Sequence, residues 1–489
     1  MTEQSYTGFW WEDGAATEQQ PGTLTIAADG KAELNLIRGF DLFTGRKEIE
    51  SGGITFESFD ERPIEVLHGV ADNKEFTLLG CRSSHVQLNS LTGKPDKQTL
   101  RARRVLIGIH LKDSGQPVFK SCTLQIENMQ QWLQQGRPIF RPKFEEGEAQ
   151  LFISTEKSAS FQTHGCSFRT EMTASFRLPQ ERRNVSTAIG TVASTLYIHS
   201  NESRSDNGFD DLLKAVVDLL TFARNEPCSV IRQTLIHNDP QTFHLPMFDD
   251  SGEIVVDNDG RPEIEETSEQ VEAEVHAQRV FTPDSDIRVP SRSHKFLFTA
   301  ADMPFEEILP KWLELRQKVQ RSTDMLFGLL YGRPRYAETR MLIVAAAAET
   351  LSRCLNEDAI PMTPFDFDRL RTRALGAIDP SDRDRFLSAF RNEPNYRDRI
   401  HDLARIPYPV AVDAIIPDRD TWANNLRDAR HGLAHGLAGR GADINISLLY
   451  ERTTYLIYLV LMHELGFSDA VQLRAAQSNQ YLMGHQQEQ

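Results

Sequence analysis

No long apolar run occurs anywhere in these 489 residues. The richest stretches, "MLIVAAAA" (341–348) and "YLIYLVLM" (455–462), fall far short of the roughly 20 residues that a membrane-spanning helix needs. No membrane partner is therefore expected. The opening "MTEQSYTGFWWEDG" lacks the basic stretch and apolar core of a secretory signal, so a cytoplasmic protein is expected. Cysteine is scarce as well. The five residues, Cys81, Cys122, Cys166, Cys228 and Cys354, are odd in number and form no C-x-x-C pair. This argues against a disulfide framework or a thiolate zinc site, and buried free thiols are expected instead. No internal repeat is visible.

Basic residues are also in deficit, 54 Lys and Arg against 70 Asp and Glu for a net charge of −16. A nucleic-acid binder more often shows a basic surface. The deficit is local, however. Residues 305–489 carry 23 basic and 25 acidic side chains, whereas 249–276 alone holds 11 acids and one arginine. That acidic stretch contains "DNDGRPE" and few aromatics, which predicts an exposed loop or a disordered insert. Of the 23 basic residues after 304, 21 are Arg, the side chain suited to bidentate phosphate contacts.

What is present is a change of hydrophobic period along the chain. "GTLTIAADGKAELNLIRGF" (22–40) alternates apolar and polar residues on either side of a "DG" turn, a strong hairpin signal. "KEFTLLGCR" (74–82), "HVQLNS" (85–90), "RRVLIGIHL" (103–111), "AQLFIST" (149–155) and "TLYIHS" (195–200) are further short strand-like runs. A sandwich or barrel is predicted. The period then becomes helical in 209–227 and, after a strand-like 228–237, from 305 to the end. The expected architecture is α+β multidomain: a β-rich region 1–200, a helix-containing extension 201–303 with the acidic loop 249–276, and a helical bundle 304–489.

Chemistry concentrates in "RDARHGLAHG" (427–436), which admits three readings. Two histidines at i and i+4, His431 and His435, can chelate one metal. Gly432 occupies the place of the general base in the H-E-x-x-H motif, and a third ligand would have to come from His401 or His463. The second reading is metal-independent RNA cleavage, which needs a group titrating near neutrality and a permanent cation for the phosphate oxygens. His435 and Arg430 provide one of each. The third is structural, because Arg and His near a helix end meet its carbonyls favourably and Gly436 makes an ordinary C-cap. An Arg-to-His spacing of this kind recurs about once by chance in such a chain. Context, late in an all-helical region and just before a long apolar helix, sets this one apart.

"LRDARHGLAHG" (426–436) resembles the R-N-x-x-x-H motif of the HEPN (higher eukaryote and prokaryote nucleotide-binding) ribonuclease domains, in particular the ApeA-like group of bacterial anti-phage defence. "GFWWEDGAATEQQPGTLTIAADGKAELNL" (8–36) is similar to the opening of the ApeA N-terminal domain. The resemblance implies Arg430 and His435 as the cleaving pair, with His431 standing where the family carries Asn. It also implies a homodimer that brings two motifs together, RNA (possibly tRNA) as substrate, a phage-derived trigger, an abortive-infection role and no cofactor. The alternative is an inactive bundle that mediates dimerisation or nucleotide binding.

Supporting positions are Glu349, a lone carboxylate among small residues that is placed to orient His435 or Arg430, and Asn425 and Arg427, one or two turns before the motif. The triplet Phe9, Trp10 and Trp11 is expected to supply core and edge packing rather than a recognition surface.

Overall fold

The computed structural model describes residues 3–485, apart from 42, 52–53, 88–95, 135–138, 144–147, 153–158, 183–184, 248–253, 256–261, 263, 279–295, 358–359, 388–389 and 436–443. The chain divides into two compact units. One is Met1–Val217 with Cys228–Pro290, and the other is Asp218–Pro227 with Ser291–Gln489. The stretch 201–303 is thus shared between them and forms no third body.

The first unit begins with β1 (Gln4–Glu12), β2 (Gln20–Ile26), β3 (Ala32–Leu36), the hairpin β4 (Phe43–Ser51) and β5 (Ile54–Glu61), β6 (Ile64–Ala71), β7 (Lys74–Gln87), β8 (Lys97–Ala102) and β9 (Arg104–Ile107). The sheet order β7-β6-β1-β2-β3-β8, with β8 pairing back onto β7, closes a six-stranded barrel. Closure requires β7 to serve two neighbours on one edge. Its first half pairs with β9 and its second half with β8, so the chain turns a corner at Arg103.

The inward side chains of alternate residues fill the barrel: Trp10, Leu24, Ile26, Leu34, Leu36, Leu67, Phe76, Leu78 and Leu100 are all buried. Trp10 donates from Nε1 to the Gly22 carbonyl at 3.1 Å, while Phe9 points outward and is 55% exposed. The aromatic triplet is therefore core and edge. The "DG" turn joins β2 to β3, with Gly30 at φ 82°. A Cβ there would sit 2.2 Å from the Ala277 carbonyl oxygen, so glycine is required for space as well as for φ.

The unit continues with β10 (Phe119–Ile126), α1 (Met129–Leu133), the hairpin β11 (Ile139–Lys143) and β12 (Glu148–Phe152), β13 (Ser160–Thr163), β14 (Cys166–Arg182), β15 (Val185–Arg204), α2 (Asp210–Arg224), β16 (Val230–His237), β17 (Gln241–Pro246), β18 (Ile264–Glu269) and β19 (Glu272–Ala277). The expected strands at 85–90 and 149–155 end in residues outside those described. From β9 the sheet extends through β19, β16, β10, β15 and β14 to β13.

The last part of the acidic stretch, 264–276, departs from the expectation of a loop. β18 pairs with β17, and β19 is an interior strand of the large sheet between β16 and β9. Ala273, Val275 and His276 are buried there while Glu272 is exposed. Parts of the stretch, at 249–253, 256–261 and 263, lie outside the described residues. All five cysteines are free and four are buried. Burial pushes the Cys81 and Cys122 thiols up to about 12, as expected of inert packing thiols.

The second unit takes the end of α2 and adds α3 (Phe305–Gly332), α4 (Ala337–Leu355), α5 (Pro364–Gly376), α6 (Arg383–Leu387), α7 (Tyr396–Leu403), α8 (Pro409–Asp413), α9 (Arg419–His435), α10 (Ile446–Leu465), α11 (Asp469–Gln477) and α12 (Gln480–Gly484). Its axis is α10, in which every residue from Thr453 to Met462 is buried. A helix apolar on all sides must lie inside a bundle. Helices α3, α4, α8, α9, α11 and α12 pack around it. Among the described residues no helix is long and apolar enough to cross a membrane.

Candidate active site

Helix α9 starts where Asp418 accepts hydrogen bonds from the Thr421 backbone N–H at 3.0 Å and hydroxyl at 2.6 Å, an N-cap that supplies a partner for an orphan donor of the first turn. Trp422, Ala423, Leu426 and Ala429 recur at helical spacing and are buried. The Trp422 indole donates to the Thr453 hydroxyl of α10 at 3.2 Å. This stripe fixes the rotation of α9, and the rotation decides where Arg430 points.

Arg430 meets two other helices. Its Nη2 lies 2.8 Å from a Glu349 carboxylate oxygen of α4, and its guanidinium sits 4.6 Å above the ring of Tyr396, the first residue of α7. Glu349 is itself held by Arg353 one turn further along α4, at 3.1 Å. Small buried residues on α4, Ala345 and Ala348 among them, let its neighbours approach closely. Asn395 caps α7 by accepting from the Asp398 N–H at 3.0 Å, which sets Tyr396 at the helix start. Its hydroxyl donates to the Ala345 carbonyl at 3.4 Å. Burial pushes the Tyr396 phenol well above its ordinary range, the Arg430 cation opposing the rise and Glu349 adding to it.

Arg397 ties α7 to α9, donating from Nε to Asn424 at 2.9 Å and from Nη2 to Asp420 at 2.5 Å. The result is an arginine with one edge on a carboxylate and one face on an aromatic ring, still 43% exposed. A guanidinium held this way keeps donors for an incoming anion.

Of the residues singled out by sequence, the structure joins Arg430 with Glu349. Arg427 is exposed and paired with its neighbour Asp428, Nε to Oδ1 at 2.9 Å. Asn425 is half-buried and makes no side-chain hydrogen bond among the described residues. His431 is exposed on α9. His435 is the last residue of α9; its side chain, and Gly436 after it, lie outside the described residues. His401, weighed as a metal ligand, faces Asp420 at 3.1 Å, and His463 is exposed in the last turn of α10. Sequence reasoning missed Tyr396, Arg353 and Arg397. Only the i to i+4 spacing of Glu349 and Arg353 was a signal in the sequence.

The chain thus carries a β-barrel in its first unit and, in its helical unit, an Arg-to-His pair on a late helix with Glu349 of an earlier helix at the arginine. The family model for ApeA N-terminal domain 1 matches residues 5–312, and the one for the Apea-like HEPN domain matches 342–471. The chain belongs to the ApeA-like HEPN family. At the family level this supports a HEPN-type defence nuclease, and HEPN domains commonly dimerise and bind RNA. No curated protein and no solved structure shows a significant match to the chain.

Proposed function

We propose that the helical unit is a metal-independent endoribonuclease that acts in anti-phage defence by abortive infection, with transfer RNA as the expected substrate class. The observation that carries this reading is Arg430, oriented by Glu349 and Tyr396 yet open to solvent, on the helix whose last residue is His435.

In the proposed reaction a proton leaves the ribose 2'-OH and the oxygen attacks the adjacent phosphorus. The bond to the 5'-oxygen breaks and that oxygen receives a proton. The products are a 2',3'-cyclic phosphate and a 5'-OH. His435 moves the protons, because an imidazole titrates near neutrality. Arg430 holds the charge that gathers on the phosphate oxygens. His431, in place of the family's Asn, contributes a second hydrogen-bonding ring. Arg430 and His435 are five residues apart, about 140° round an ideal helix. A homodimer in which two motifs meet reconciles that angle with one site, and Asn425 and Arg427 then flank the bound strand. The β-rich unit receives the phage-derived trigger.

The test compares wild type with His435→Ala on total cellular RNA in EDTA. Wild type is expected to leave cyclic phosphate ends, and the variant to lose about 10²- to 10⁴-fold in rate. Equal products from both would end the ribonuclease reading in favour of an inactive dimerisation or nucleotide-binding bundle. Cleavage abolished by EDTA alone would return the metal reading.

A further inference from the structure

The corner at Arg103, where the barrel hands over to the rest of the sheet, gathers positive charge. In a regular strand consecutive side chains point to opposite faces, so Arg103 and Arg104 should diverge. Here β8 ends at Ala102 and β9 begins at Arg104, and Arg101, Arg103 and Arg104 all line one cavity of about 600 Å³ in the first unit. Lys31, just before β3, lines it too, with Asp210 at the start of α2 and Ala277 at the end of β19. The turn at Gly30, whose backbone lies against the Ala277 carbonyl, holds Lys31 beside that strand end.

The partners of these cations say what the cavity still lacks. Asp210 takes both terminal nitrogens of Arg104, at 2.7 and 3.0 Å, and buried Asp206 adds a contact at 3.5 Å. Glu33 is shared by Lys31 and Arg101, at 2.9 Å from each, and leaves the terminal nitrogens of Arg101 unbonded among the described residues. Arg103 is exposed and makes no ion pair or side-chain hydrogen bond among the described residues. Its side chain lies over Gly80, at φ 62°, where a Cβ would sit 3.2 Å from the arginine Nε. Arg104 is only 8% exposed, and its Nε has no partner among the described residues. A buried donor left unpaired is costly, and an acceptor brought by a ligand offsets that cost. Arginine forks match the paired oxygens of a phosphate. The volume falls within the roughly 300–1,000 Å³ of small-molecule sites. No aromatic side chain is among its described lining residues, so nothing there stacks on a base.

We propose that this cavity is a binding site for a small molecule carrying a diphosphate, recognised through its phosphate oxygens by Lys31, Arg101, Arg103 and Arg104 and not through any base attached to it. Arg103 brings a whole unpaired fork, and Arg101 brings its terminal nitrogens. Asp210 keeps the Arg104 guanidinium in place. The site uses none of Arg430, His431 or His435 and does not rest on the ribonuclease reading.

The experiment is calorimetric titration of the full chain with pyrophosphate, at about 0.15 M salt so that loose surface binding is screened. Wild type is expected to show a single saturable site. ADP should bind in the same range and displace pyrophosphate, whereas adenosine should do neither. Arg103→Ala should weaken binding about 10-fold, and Arg101→Ala with Arg103→Ala about 100-fold. Both side chains are exposed, so the variants keep the fold. Removing two other exposed charges of the same unit, Lys112→Ala with Lys120→Ala, should leave binding intact. So should Arg430→Ala, which separates this site from the proposed ribonuclease centre. The proposal is overturned by no saturable binding of pyrophosphate, by equal affinity in the arginine variants, or by an equal loss in the lysine control. Loss in Arg430→Ala, or displacement of pyrophosphate by adenosine, would overturn it as well.

Discussion

Helices α9 and α5 have similar compositions and opposite fates. Both are short, rich in Arg and Asp and modest in apolar residues. Yet α9 buries Trp422, Ala423, Leu426 and Ala429, whereas α5 buries nothing. The difference lies in what faces each stripe. The α9 stripe includes an indole that fits against α10 with a hydrogen bond for its nitrogen, and its polar residues are taken up by α4 and α7. No residue of α5 is buried against such a neighbour. Charge on a helix is thus compatible with a precise position in a core or with an outward-facing role. Only the partners decide which.

The strongest way to break the contrast is to remove the anchor of α9. Trp422→Ala should cost about 3–5 kcal/mol, visible as a large fall in the denaturation midpoint of the helical unit. Leu370→Ala on α5, where the side chain is 53% exposed, should stay within about 0.5 kcal/mol. Equal losses from the two would erase the distinction.

A smaller effect tests how α9 presents its arginine. Tyr396→Ala removes a cation–π contact of about 0.5–2 kcal/mol, so RNA cleavage should fall roughly 2- to 30-fold. Tyr396→Phe keeps the ring and should retain most of the rate. Parallel loss in both variants would assign the effect to the phenol oxygen and its bond to the Ala345 carbonyl.

The smallest effect concerns the start of α9. The Thr421 hydrogen bonds hold the Asp418 carboxyl below its ordinary value. A depressed carboxylate stabilises the fold at pH values above its unfolded pKa. That stabilisation is lost as the pH falls below about 4 and through the folded value. Asp418→Ala should therefore lower the melting temperature slightly at neutral pH and by less in acid. A shift independent of pH would exclude the cap as its source.

Much of the fold was legible because strands and helices print their periods in the chain. The alternation around Asp29-Gly30 predicted the β2–β3 hairpin, and the apolar 455–462 marked the buried axis of the bundle. Closure of the barrel was not legible, since it depends on β7 bending to serve both β8 and β9. The end of the acidic stretch, 264–276, differs from its expectation for a specific reason. "EAEVHA" alternates at period two, with Ala273 and Val275 inward, but its carboxylates dominated a reading by composition. Charge on the outward face of a strand says nothing against the strand.

The division is similar at the site. The resemblance of "LRDARHGLAHG" to the HEPN motif singled out Arg430, His431 and His435, and a lone carboxylate among small residues singled out Glu349; spacing alone recurs by chance. The pairing of Arg430 with Glu349 at 2.8 Å, and its seat on Tyr396, were decided by the tertiary structure. The groups come from three helices separated by long stretches of sequence, and no local period records how α4, α7 and α9 are rotated against one another. Side-chain packing sets those rotations, and so decides which charges meet.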